Sequence, residues 1–230
     1  MKRKLELLVG VAVIALIGAC TNGQGSPGIS ATAGQAPMFE VDPFWPKPLP
    51  NHWLQGATIG VAVDSRDHVF LVHRNTPDQF AARTEIGLAQ DPPLSECCAP
   101  APPVLEFDPD GNLVNAWGGP PDSGEYEWPT SNHGIVVDHM DNIWIGGNGQ
   151  SDSHVLKFTR DGTFLMQIGR SGARATSMDG GRTLYSGNSH DTESFGRVAK
   201  ISFEPNANEM FFADGYLNKR VAVIDATTGE

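Results

Sequence analysis

Three side chains in the sequence, His133, Arg74 and Tyr216, are of types that carry out chemistry when they converge. An imidazole binds zinc, although a catalytic zinc site needs about three protein ligands and an open position. A guanidinium stabilises a developing oxyanion, and a tyrosine acts as a general base. Each also has a structural interpretation: a hydrogen-bonded histidine, an arginine paired with an aspartate, and a phenol packed in the core. The residue types alone leave both interpretations open.

The cysteines form an adjacent pair, Cys97 and Cys98, and a separate residue, Cys20, near the N-terminus. The CxxC spacing of zinc sites is absent. The pair is compatible with two reduced thiols, a strained disulfide between neighbours, or ligands for a soft metal. We expect a structural pair in a tight loop.

Two kinds of β-hairpin segment alternate along the chain. The first has two apolar runs around a polar turn, and the second alternates apolar with polar residues around an Asp-Gly turn. The first kind spans residues 60–72, 134–145 and 201–214, and the second spans 104–118 and 155–169 and begins again at 221. One hairpin of each kind gives four antiparallel strands, which make one blade of a β-propeller.

The sequence therefore predicts an all-β fold, a β-propeller over residues 38–230. We expect about three of about six blades, at about 56–118, 130–169 and 197–230. The third blade lacks its outermost strand. Because an unclosed fan exposes sheet edges, we expect a truncated sequence, with a half-propeller that pairs with a copy of itself as the alternative.

The N-terminus has the pattern of an export signal. A basic start and an apolar run lead to small residues before Cys20, which predicts a signal peptide at 1–19 and lipidation of that cysteine. The alternative is an ordinary signal peptide with an incidental cysteine. Residues 20–37 predict a flexible tether. We expect a bacterial lipoprotein anchored in the outer membrane through its acyl chains.

The net charge of −11 disfavours one class of partner. An acidic surface repels phosphate backbones, so we expect no nucleic-acid binding. A small-molecule or peptide substrate and a membrane reached through the lipid anchor are the expected partners.

From about Phe39 onward the chain resembles six-bladed propellers built of NHL repeats. More narrowly, it resembles bacterial relatives of the lyase domain of peptidylglycine α-amidating enzymes. The segments that carry the resemblance are 39–46, 60–64, 72–74, 132–138 and 213–220, and 95–103 is similar to the bacterial subgroup. The resemblance implies a lyase that splits an N-acyl carbinolamide, such as a peptidyl-α-hydroxyglycine, with zinc held by three histidines. The competing hypothesis is a non-catalytic propeller that binds ligands or proteins at the cell envelope.

The resemblance also implies roles for individual residues. His133 matches the first zinc ligand, and Arg74 and Tyr216 match the catalytic arginine and tyrosine. Main-chain carbonyls of Val61 and Ile135 match a calcium site in the central channel. The family usually has an acidic residue where this chain has Lys200, which argues against a cation there.

Overall fold

The computed structural model describes residues 38–76, 83–173, 178–179, 182–183 and 187–230. The predicted signal peptide 1–19, the tether 20–37 and the lipidation site Cys20 lie outside the described residues. Contacts divide the chain between Asp42 and Pro43, and every element below belongs to Pro43–Glu230.

The fold is all-β, as predicted, with one 3₁₀ helix at Arg83–Ala89 among the described elements. The strands are β1 (Trp53–Leu54), β2 (Thr58–Val63), β3 (Val69–His73), β4 (Ala99–Pro100), β5 (Val104–Phe107), β6 (Leu113–Trp117), β7 (Asn132–Val137), β8 (Ile143–Gly147), β9 (His154–Phe158), β10 (Phe164–Gly169), β11 (Met178–Asp179), β12 (Arg182–Thr183), β13 (Lys200–Glu204), β14 (Glu209–Asp214) and β15 (Arg220–Asp225).

Three antiparallel sheets contain most of these strands. Sheet one has the order β2-β3-β5-β6, sheet two has β7-β8-β9-β10, and sheet three has β13-β14-β15. The predicted hairpins correspond to the pairs β2–β3, β7–β8, β13–β14, β5–β6 and β9–β10. Two smaller sheets pair β1 with β4 in parallel and β11 with β12.

Aspartates close the turns of the hairpins. The Asp64 carboxylate accepts the backbone N–H groups of Arg66 and His68, and Asp138 accepts those of Met140 and Asn142 in the equivalent turn of sheet two. These are the acceptor positions that Asp fills in tight turns. Because the turns fix strand register, they also fix where each second strand ends.

The sheets pack face to face through apolar central strands. Sheets one and two share a core in which Phe70 and Val104 meet Leu156 and Phe158. Sheets two and three share a second core that contains Trp144 and Phe212. Both cores bury these side chains almost completely, and such burial stabilises a protein by about 1.5–3 kcal/mol per large side chain.

The first strands of the sheets are neighbours. Strand β2 contacts β7, and β7 contacts β13. Each of these first strands is an edge strand of its own sheet. Consequently, the ends of the second strands β3, β8 and β14 also follow one another from sheet to sheet.

Candidate functional site

The candidate site lies where the second strand of each sheet ends. Arg74 directly follows β3, Asn148 directly follows β8, and Tyr216 comes two residues after β14. Arg74 and Asn148 hold corresponding positions in their hairpins, and Tyr216 lies one residue further along in its own; antiparallel pairing brings each of them beside the start of a first strand. The hairpin repeat therefore brings three polar side chains to one end of the stacked sheets.

The side chain of Asn148, from sheet two, connects Arg74 of sheet one with Tyr216 of sheet three. Arg74 Nη2 donates to Asn148 Oδ1 at 3.3 Å, and Asn148 Nδ2 lies 3.4 Å from the Tyr216 hydroxyl as its donor. Ser131 Oγ donates to the same Asn148 Oδ1 at 2.9 Å. Because the amide nitrogen donates to the Tyr216 oxygen, the phenolic proton is free to point away from Asn148.

His133 lies beside Tyr216. The two ring centroids are 6.2 Å apart, and the planes meet edge to face at 87°. His133 is the second residue of β7, and its Nδ1 is buried with no hydrogen-bond partner among the described residues. The structure thus brings together Arg74, His133 and Tyr216, and it adds Asn148, which sequence reasoning missed.

A buried carboxylate holds the loops around Asn148. Asp152 is 1% exposed, and it accepts hydrogen bonds from Gly149 N, Ser131 N, and the backbone and hydroxyl of Thr130 at 2.7–3.0 Å. Bonds to a charged acceptor are stronger than neutral ones. Asp152 therefore fixes Ser131 and, through it, the orientation of the Asn148 amide.

A second buried carboxylate, Asp214, holds the turn that contains Tyr216. This residue is inaccessible to solvent, and it accepts from Gly196 N at 2.6 Å, Asn218 Nδ2 at 2.7 Å and Arg220 Nε at 2.9 Å. These bonds fix the turn that follows β14. Tyr216 itself is half-exposed.

The side chain of His73, the residue before Arg74, is held by two backbone groups. Gly56 N–H donates to His73 Nδ1 at 3.1 Å, so Nε2 carries the proton and donates to Pro102 O at 2.9 Å. Burial lowers the pKa of His73 below its ordinary value, with the backbone hydrogen bonds opposing that shift. His73 therefore has a structural role.

A cavity of about 310 Å³ opens beside Arg74. Its wall combines the apolar surface of Trp128, Pro120 and Pro129 with polar groups, and Arg74 is the charged residue that lines it. Neither His133 nor Tyr216 lines this cavity. Arg74 is thus connected to Tyr216 and His133 by hydrogen bonds through Asn148 and by the contact between the two rings, and not by a shared cavity.

The residues implied for calcium lie on neighbouring first strands. Val61 is on β2 with its side chain 54% exposed, and Ile135 is on β7 with its side chain buried. Lys200 opens β13 and is exposed, and Gly134 of β7 lies against its backbone. These placements do not test the calcium hypothesis, which stays a prediction.

The zinc hypothesis requires three imidazoles, and the described part of the cluster contains one. The orphaned Nδ1 of His133 fits a metal ligand, but Asn148, Arg74 and Tyr216 do not complete a zinc donor set. The residues described do not amount to a zinc site.

A different group of metal-ligand type is present in sheet one. Ligand atoms of Asp64, His68 and Glu106 lie within 4.8 Å of one another. The guanidinium of Arg160 from sheet two already occupies this group: its Nε is 2.6 Å from Asp64 Oδ2, and its Nη2 contacts Glu106. Burial raises the pKa of Glu106, opposed by its hydrogen bond with His68. We interpret the group as an ion-pair network between sheets.

Cys97 and Cys98 are bonded to each other through their Sγ atoms. The pair directly precedes β4, and the Cys97 carbonyl accepts a bond from Leu88 N at 3.3 Å. Of the alternatives open at the sequence level, the structure has the disulfide between neighbours.

Comparison with known proteins gives no assignment. No family model matches the chain, and no curated protein is significantly similar to it. Among the described residues, none of the helices has the length and apolar character needed to cross a membrane.

Proposed function

We propose that the chain is part of an NHL-type β-propeller carried on a lipid anchor at the bacterial cell envelope. Three stacked antiparallel sheets with adjacent first strands support this architecture, since that is how propeller blades surround an axis. Sheet three has three described strands where the other two have four.

We propose further that the Arg74–Asn148–Tyr216 cluster is the active site of a lyase similar to peptidyl-α-hydroxyglycine α-amidating lyases. The observation that carries the proposal is the Asn148 bridge, which links both residues of the implied catalytic pair. Cleavage of a carbinolamide takes a proton from its hydroxyl while negative charge moves to the departing amide. Tyr216, as the phenolate, would accept the hydroxyl proton, and the C–N bond would break as the C=O bond of the aldehyde forms. The departing amide nitrogen would then take the proton back from the Tyr216 phenol, and Arg74 would stabilise the negative charge during the step.

The test is release of glyoxylate from an N-acyl-α-hydroxyglycine by the purified chain. Tyr216→Phe removes the proposed base, and general-base catalysis contributes about 10²–10⁴-fold. We therefore expect a loss of about 10²-fold or more. Tyr126→Phe is the matched control, because that hydroxyl bonds Gly119 O at 3.2 Å outside the cluster. Equal rates for the two variants would contradict the proposal.

The second candidate is a non-catalytic propeller that binds small molecules or peptides with the same cluster. The single imidazole in the described cluster favours it, because a binding site needs no zinc triad. An N-acylglycine that binds without any glyoxylate release from its hydroxylated form would support this candidate.

A further inference from the structure

The Cys97–Cys98 disulfide lies at the surface and has no part in the site described above. As whole residues, Cys97 is exposed and Cys98 is half-buried, so we expect a reagent in solution to reach Cys97 more readily. A disulfide is attacked by a thiolate that can reach one of its sulfurs. This one is therefore open to attack in the folded protein.

The segment after the disulfide is hydrogen-bonded to β1. Ala99 N donates to His52 O at 3.1 Å, and Ala101 N donates to Leu54 O at 2.9 Å. Strand β4 is two residues long. Such a short pairing has few bonds to hold it, so it depends on the order of the residues that precede it.

The other end of the same segment is bonded to both neighbours of Arg74. His73 donates its backbone N–H to Pro103 O at 3.0 Å and its Nε2–H to Pro102 O at 2.9 Å. Asn75 Nδ2 donates to Ala101 O at 3.3 Å. A continuous series of bonds therefore runs from the disulfide to the backbone of His73 and to the side chain of Asn75, the two neighbours of Arg74.

We propose that Cys97–Cys98 is a thiol–disulfide exchange site that controls the order of the segment 99–103 and, through it, the position of Arg74. The co-reactant is a low-molecular-weight thiol or dithiol. Its thiolate attacks Cys97 Sγ, the Sγ–Sγ bond breaks, and Cys98 leaves as a thiolate that takes up a proton. A second thiol attacks the external sulfur of the mixed disulfide and releases the oxidised reagent and the protonated Cys97 thiol.

Reduction should increase the conformational freedom of the backbone at the start of this segment. A covalent bond between neighbouring side chains restricts the backbone of both residues, and breaking it restores conformational entropy next to Ala99. The Ala99 and Ala101 bonds to β1 then open more often, and the bonds to His73 and Asn75 follow. Arg74 loses its fixed backbone while the core between the sheets is unchanged.

The experiment uses the full chain under native conditions, oxidised or treated with dithiothreitol. Alkylation with iodoacetamide and peptide mapping count the thiols at Cys97 and Cys98. Hydrogen exchange then follows the backbone amides of His73, Ala99 and Ala101. The double variant Cys97→Ser/Cys98→Ser is the matched control for a segment that cannot close the bond.

We expect both cysteines to be alkylated in the folded protein only after reduction. The three amides should exchange about fivefold faster in the reduced chain and in the double variant, the change that loss of about one hydrogen bond produces. Amides of β13–β15 should not change. Alkylation that requires denaturant overturns the exchange site, and unchanged exchange at His73 overturns its connection to Arg74. Neither readout depends on turnover, so failure of the lyase proposal would leave both intact.

Discussion

Replacing Arg160 by methionine removes the cation that joins sheet two to sheet one and keeps much of its apolar stem. Arg160 Nε lies 2.6 Å from Asp64 Oδ2, and the guanidinium also contacts Glu106. The Asp64 and Glu106 side chains are 0% and 2% exposed, so both carboxylates would stay buried without this partner. Breaking a buried pair costs about 3–5 kcal/mol. Arg160 is itself 21% exposed, so we expect a loss of about 3 kcal/mol in the free energy of unfolding.

Urea unfolding of Arg160→Met beside Arg66→Met measures this loss. Arg66 Nε lies 3.7 Å from the same Asp64 oxygen but its side chain is 54% exposed, so its replacement should cost less than about 1 kcal/mol. Equal losses for the two variants would refute the argument that burial makes the Arg160 contact strong.

The loss should also depend on pH. Burial raises the folded-state pKa of Glu106, so its protonated form favours folding at acid pH, and that contribution is lost as pH rises through the folded pKa. We expect loss of Arg160 to raise the pKa of Glu106 further, because its guanidinium contacts this carboxylate. The deficit of Arg160→Met should therefore be smaller at about pH 5 than at about pH 7. An unchanged deficit would mean that Glu106 does not take up the proton.

Three further predictions concern the core, acid stability and the anchor. Phe158→Ala should cost about 3–5 kcal/mol in urea unfolding, because Phe158 is fully buried between sheets one and two, whereas Val63→Ala, 56% exposed, should change stability by less than about 0.5 kcal/mol. Burial lowers the folded pKa of His73 and His154, so both contribute stability above the ordinary value of 6.5 that is lost as pH falls through the folded pKa. The double variant His73→Gln/His154→Gln should lose less unfolding free energy than the unmodified chain as the pH falls, when urea unfolding is repeated across acid pH. Mass spectrometry of the membrane fraction should find a diacylglyceryl group on Cys20, and a product with that cysteine unmodified would contradict the lipoprotein prediction.

The hairpins were predictable because their signals are local. Apolar runs separated by Asp-rich turns specify each strand pair, and the turn aspartates Asp64 and Asp138 then accept backbone N–H groups as their position requires. The pairing of β1 with β4 was not predictable, since two-residue strands in a proline-rich segment carry no periodicity.

The candidate site was predictable in part. The resemblance to the lyase family singled out Arg74 and Tyr216, whereas Asn148 is an ordinary residue after a strand. Its signal was positional: it follows β8 as Arg74 follows β3, so the hairpin repeat assigns it to the same end of the sheets. The contact of Arg160 with Asp64 joins residues 96 positions apart, and only the stacking of the sheets brings them together.

We propose that Arg74, Asn148 and Tyr216 act as one site. The most direct test is side-chain NMR of the isotopically labelled chain during titration with an N-acylglycine, which lacks the hydroxyl and cannot be cleaved. We predict that the Asn148 amide and Arg74 guanidinium signals shift together with one apparent Kd, and that Tyr216→Phe weakens that Kd. Shifts of one residue without the other, or shifts only in signals outside the cluster, would contradict the claim.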